Sequence, residues 1–284
     1  ANLTNRAQCI MRMIKPPRGR ITDMGYRGFL DEHYKLFSGR NGGFVFQNDY
    51  FNERERLSDE SQKLHTNLLP TPVLGDLDKG KIFICSLNPG FKERDYEDEK
   101  IISVEVMKQF SQRNASMFFL GNDYNGTDGS IWWKSRFNQK DPNKSLVMNV
   151  LRRYQNNGVA VDIADIYAML SRIVVALELF PYHSGTMNWR AMQGCEQENG
   201  SVYRMRSFVH NELIPNAGKN NQIVCFTRSI KAWGVTEEEK QMTDVVYCTP
   251  SNASRRITFS VEKPMGAFIL DHIRVITGSF SKVL

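Results

Sequence analysis

No stretch of the 284 residues approaches the roughly 18 to 20 apolar positions that a membrane-spanning helix needs. Ala1 to Arg20 is basic but has no hydrophobic leader core. The expectation is a soluble, cytoplasmic protein with no membrane partner. Cysteine is sparse: five residues, at positions 9, 85, 195, 225 and 248, with no CxxC pair or other metal-ligand spacing. Cys85, Cys225 and Cys248 fall inside apolar runs, which fits reduced core thiols and implies no metal site. There is no Gly-x-Ser-x-Gly elbow, which argues against a serine hydrolase built from His183 and Ser184. Nor is there a phosphate-cradling glycine motif or a cluster of metal-binding carboxylates, so a nucleotide hydrolase is disfavoured and no cofactor is implied. Internal repeats and low-complexity tracts are absent too.

What is present is a hydrophobic fraction of 41%, enough for a large buried core, and 37 Lys and Arg against 31 Asp and Glu. The resulting formal charge of +6 permits a polyanionic partner such as DNA but selects no sequence in it. Oligomeric state is not legible.

Four short apolar runs read as strands: Lys81 to Leu87, Ile173 to Phe180, Gln222 to Phe226 and Val245 to Cys248. Helical stretches fall between and after them, at about Asp98 to Arg113, Asp162 to Leu170, Arg204 to Ile214, Ser229 to Trp233 and Ala267 to Ile276. Alternation of this kind predicts a single α/β domain, a mainly parallel four-stranded sheet with helices on both faces. Residues 1–68, polar and broken by glycines, read as a helical and loop segment laid against a core domain of residues 69–284. Ligands of such sheets bind beyond the carboxyl ends of the strands, so the loops there are where chemistry is expected.

Two of those loops form a pair. The first strand ends in Ser86-Leu87-Asn88-Pro89-Gly90-Phe91, and the fourth runs into Thr249-Pro250-Ser251-Asn252-Ala253-Ser254-Arg255-Arg256. A strand followed by Asn-Pro-Gly, then a distant strand followed by x-Pro-Ser-x-x-Ser, resembles the active-site motifs of the uracil-DNA glycosylase superfamily in its mismatch-specific and single-strand-selective branches. The resemblance covers residues 70–259 as an architecture and lies in these short motifs. It implies a uracil-DNA glycosylase-like fold and an enzyme that flips a base from DNA and hydrolyses its N-glycosidic bond. By the same resemblance Asn88 would position the attacking water. Thr249 would stand where relatives carry His or Asn near the base, a departure that substitutes a weaker donor. Ser251, Ser254, Arg255 and Arg256 would grip backbone phosphates, while Ala253 is too small to wedge between bases.

The third loop follows Ala176-Leu177-Glu178-Leu179-Phe180-Pro181, where a carboxylate interrupts an apolar run; such a group either has a structural partner or faces a pocket. The resemblance puts Glu178 in place of an Asn that reads the edge of uracil. A carboxyl group suits cytosine's amino group and N3 better than uracil's O4. Gly90 takes the place of a Tyr that excludes 5-substituted bases. Together these imply a 5-modified cytosine, for example glucosylated hydroxymethylcytosine in phage DNA, excised as a defence. A repair enzyme for uracil or mismatched bases and a catalytically silent DNA-binding relative are the alternatives. Phe91 and Phe118 are candidates to stack on the base, with Tyr96 and Phe119 behind them, and core packing is the competing role for each. His183 either hydrogen-bonds locally or contacts phosphate. Trp132 to Arg136, Arg228 and Lys231 offer further aromatic or basic contacts.

Overall fold

In the computed structural model, residues 36–38, 43–56, 59–112, 114–250 and 257–278 are described. The chain divides into two compact units, each assembled from separated segments.

One unit comprises Leu74–Cys85, Asn114–Ala176 and Ile214–Leu284, and it carries nearly all of the central sheet. The sheet has five strands: β3 (Val73–Leu74), β4 (Ile82–Ser86), β5 (Val174–Glu178), β6 (Ile223–Phe226) and β7 (Val246–Cys248), in the order β3-β5-β4-β6-β7. β4 pairs in parallel with β6, in the register Ile82↔Ile223, and β6 with β7, in the register Val224↔Val246. Every residue of β4, β5 and β6 is buried, so these strands read in sequence as continuous apolar runs without a polar face. Burying one Val, Leu, Ile or Phe contributes about 1.5–3 kcal/mol, so each such residue of these strands stabilises the fold by that order.

Helices flank the sheet. α2 (Asp128–Phe137) starts at Thr127, whose side chain accepts from the Ser130 N–H. α3 (Leu146–Asn156) buries Leu146, Val147, Val150 and Leu151 along one stripe. α4 (Ile163–Ile173) opens on a reciprocal capping box between Asp162 and Asp165 and leads directly into β5. A last helix runs over Pro264–Gly278.

The other unit comprises Ala1–Val73, Ser86–Arg113 and Leu177–Leu213. It contains an antiparallel pair, β1 (Leu36–Ser38) with β2 (Phe44–Phe46), and α1 (Asp95–Ser111). Its core is tied by a buried polar network. The Tyr182 hydroxyl donates to Asp49 Oδ2 at 2.5 Å and accepts from the Phe46 N–H at 3.0 Å, while Asp49 Oδ1 accepts from the Ser201 N–H at 2.7 Å. Burial pushes the Asp49 carboxyl up from its ordinary range and the Tyr182 phenol well above its own. A helix over Ser201–Phe208 widens into a π turn at Val209–Leu213. Pro215, just beyond, has no N–H to return to the Asn211 carbonyl, a common reason for a helix to change pitch.

The α/β class and the mostly parallel sheet agree with expectation, and all four expected strands form. The strand number is corrected from four to five, because β3 is only two residues long and carries no readable period. The helical and loop reading of the first 68 residues is corrected by the β1–β2 pair. No helix among the described residues is long and apolar enough to cross a membrane.

Candidate active site

The turn after β4 lies in the unit that holds Ser86–Arg113 and Leu177–Leu213. Beyond the end of β5 the chain bends but keeps its pairing with the end of β4 and the residue after it. The Leu179 and Phe180 N–H groups donate to the Ser86 and Leu87 carbonyls at 3.1 and 2.8 Å, and the Glu178 N–H donates to the Pro72 carbonyl at 2.9 Å. This ladder sets the segment from Pro181 to Thr186 against the Asn88-Pro89-Gly90 turn.

Asn88 is half-buried, and its amide is held from one side. Nδ2 donates to the Pro89 carbonyl at 2.9 Å, the Ser184 carbonyl at 3.2 Å and Ser184 Oγ at 3.1 Å. Two of these partners are carbonyl oxygens that can only accept, so they must face the NH2 group. Oδ1 therefore points away from them, and it makes no hydrogen bond within the described residues. A carboxamide with its donors committed and its acceptor open suits a water molecule that must present a lone pair elsewhere.

Gly90 is exposed, and a Cβ added there would meet nothing within 4 Å. Phe91 is half-buried, and one face of its ring is covered by His65, with ring centroids 3.3 Å apart and planes 10° from parallel. His65 was not singled out from sequence. It is 5% exposed, its Nδ1 lies 2.7 Å from the Tyr96 hydroxyl, and its buried Nε2 makes no hydrogen bond among the described residues. Burial lowers the pKa of His65 and raises that of Tyr96, so both are neutral at neutral pH.

His183 has Nδ1 at 3.1 Å from the Gly90 carbonyl and Nε2 at 3.2 Å from the Leu69 carbonyl. Burial pushes its pKa down to about 4 although both carbonyls favour the charged ring. The local role is thus the one the structure bears out. As a phosphate contact His183 is corrected, since both nitrogens face protein carbonyls and the ring is neutral. Glu178 is the last residue of β5 and 7% exposed.

The remaining candidates belong to the sheet unit. The Thr249 N–H donates to the Phe226 carbonyl at 3.0 Å, which extends the β6–β7 pairing by one residue and leaves the threonine half-buried. Ser251, Ser254, Arg255 and Arg256 lie outside the described residues. Phe118 is 6% exposed and packs on Phe119 and Tyr124 at centroid distances of 4.4 and 5.3 Å. As a base-stacking residue it is corrected to core packing, because its ring is enclosed by other rings. Lys134 sits over the Tyr167 ring and donates to the Gly121 carbonyl, and Arg136 covers the Trp132 ring, so the aromatic and basic run of α2 is largely occupied within the protein. Ser229, after β6, adopts a left-handed backbone with φ 51°, uncommon for a residue with a side chain. Among the described residues no group of three or more His, Cys, Asp or Glu is placed to hold a metal ion.

Compared with family models, with curated proteins and with solved structures, the chain matches none. The class that fold and site define is therefore an α/β protein with an oriented carboxamide at the end of a central parallel strand.

Proposed function

We propose that the protein is a DNA glycosylase that takes a nucleobase out of DNA, hydrolyses its N-glycosidic bond and leaves an abasic site. The observation that carries this reading is the orientation of Asn88: three oxygens of its own unit hold the NH2 group, and Oδ1 is left to accept from water. As the glycosidic bond breaks, its electron pair leaves with the base and the sugar becomes cationic at C1′. The water held by Asn88 adds there, and its surplus proton passes to the departing base or to solvent.

The base in this reading is a 5-modified cytosine, such as glucosylated hydroxymethylcytosine, and the activity is a defence against phage DNA. Support comes from Gly90, where open space replaces the side chain that would exclude a 5-substituent, and from the buried carboxyl of Glu178 at the end of β5. The half-buried Phe91, backed on one face by His65, offers the base an aromatic surface. The net charge of +6 and the residues Ser251, Ser254, Arg255 and Arg256 suit the phosphates of a DNA backbone.

A uracil or mismatch glycosylase would use the same Asn88, and a silent relative would bind DNA without releasing a base. All three are separated by incubating the protein with oligonucleotides bearing uracil, cytosine, 5-hydroxymethylcytosine or its glucosylated form, followed by alkali cleavage. Strand breaks only with modified cytosine, lost in Asn88→Ala, are the expected result; breaks only with uracil, or none with any base, would reject it.

A further inference from the structure

The contacts around Asn88 point to a residue that the motif itself does not contain. Ser184 is fully buried, and its hydroxyl donates to the Thr186 carbonyl at 2.7 Å. With its only proton committed there, Oγ meets the Asn88 NH2 as an acceptor at 3.1 Å. The Ser184 carbonyl takes the same NH2 group at 3.2 Å, and the Ser184 N–H reaches back to the Pro89 carbonyl at 3.4 Å. Thr186 is in turn fixed to Ser61, donating its N–H to the Ser61 carbonyl at 2.6 Å. Ser61 is pinned by Asp59, which accepts from its hydroxyl at 2.7 Å. A chain of donors thus runs from the Asn88 amide through Ser184 to Thr186, and such chains polarise their members.

We propose that Ser184 is the positioning residue of this site: it fixes which end of the Asn88 amide faces the reacting water. Were the amide reversed, Oδ1 would stand against two carbonyl oxygens and a hydroxyl oxygen whose proton is already used. Removing the Ser184 hydroxyl leaves the Ser184 and Pro89 carbonyls as acceptors but frees one amide hydrogen, so the amide turns more readily and water is held correctly for less of the time. The same polarisation draws electron density onto Oδ1 and strengthens its grip on a water hydrogen. This inference rests on the reading that Asn88 holds the attacking water.

Two readouts on the full chain separate the inference from that reading. The first needs no substrate: in protein labelled with 15N-asparagine, solvent exchange of the Asn88 side-chain NH2, assigned by its loss in Asn88→Ala, is expected to be about tenfold faster in Ser184→Ala than in wild type. The second is single-turnover and steady-state base release from an oligonucleotide bearing glucosylated hydroxymethylcytosine, where Ser184→Ala is expected to lower kcat about tenfold with KM unchanged. Unchanged exchange with unchanged kcat overturns the role of Ser184 and leaves Asn88 standing. Faster exchange with an Asn88→Ala variant as active as wild type overturns both, as does the absence of base release from wild type. Should Ser184→Ala fail to fold, Asn88→Asp decides. A carboxylate would face two carbonyls, so base release is expected only on the acid side, where the carboxyl is protonated, and wild-type turnover at neutral pH overturns the inference.

Discussion

Acidification should loosen the Asn88 turn through one side chain. His183 bridges the carbonyls of Leu69 and Gly90, yet the neutral ring carries one proton and satisfies only one of them. Burial holds its pKa at about 4, below the ordinary 6.5. Between those values the unfolded chain takes up a proton that the folded chain refuses, so stability present above pH 6.5 is lost as pH falls towards 4. At about 1.4 kcal/mol per pH unit the gap sets a ceiling of about 3.5 kcal/mol, of which about 3 kcal/mol is lost by pH 4. His183→Gln keeps an amide donor for one carbonyl and does not titrate. His65 and His272, whose pKa values are also lowered, are shared by both proteins and cancel in the difference. Urea unfolding at pH 7 and pH 4 should therefore show wild type losing about 3 kcal/mol more than His183→Gln. Parallel losses in the two proteins would refute the assignment of His183 as a buried neutral bridge.

Other consequences follow from single contacts. Tyr182→Phe removes the donor to Asp49 and the acceptor of the Phe46 N–H, and should cost about 3 kcal/mol, a fall in Tm of roughly 5 °C by calorimetry. Gly90→Ala should leave Tm within about 1 °C, because its Cβ meets nothing, whereas Gly90→Tyr should slow release of glucosylated hydroxymethylcytosine far more than release of the smaller 5-hydroxymethylcytosine. Glu178→Asn should shift base preference towards uracil in the alkali-cleavage assay; unchanged preference would assign the carboxylate a structural role.

The central sheet was legible because β4, β5 and β6 are buried on both faces, so Ile82 to Ser86, Val174 to Glu178 and Ile223 to Phe226 stand out as apolar runs against polar surroundings. The two residues of β3 are too few to show a period, and they pair through backbone groups that any sequence supplies. The helix Leu146–Asn156 was passed over although its buried positions recur at helical spacing, a signal that was there to read. At the candidate site, Asn88 and Gly90 were visible in a short motif. Ser184 and His65 were not, since one acts through a carbonyl and an already committed hydroxyl and the other through the face of a ring brought from 26 positions earlier in the chain. Contacts of that kind exist only once the chain has folded.

The most direct test of the account is mass spectrometry of the bases released when the purified protein is incubated with phage DNAs of differing cytosine modification. Free 5-modified cytosine, together with abasic sites in the DNA, should appear with the wild-type protein and vanish with Asn88→Ala. DNA left with every base in place, or release that survives loss of the Asn88 amide, would contradict it.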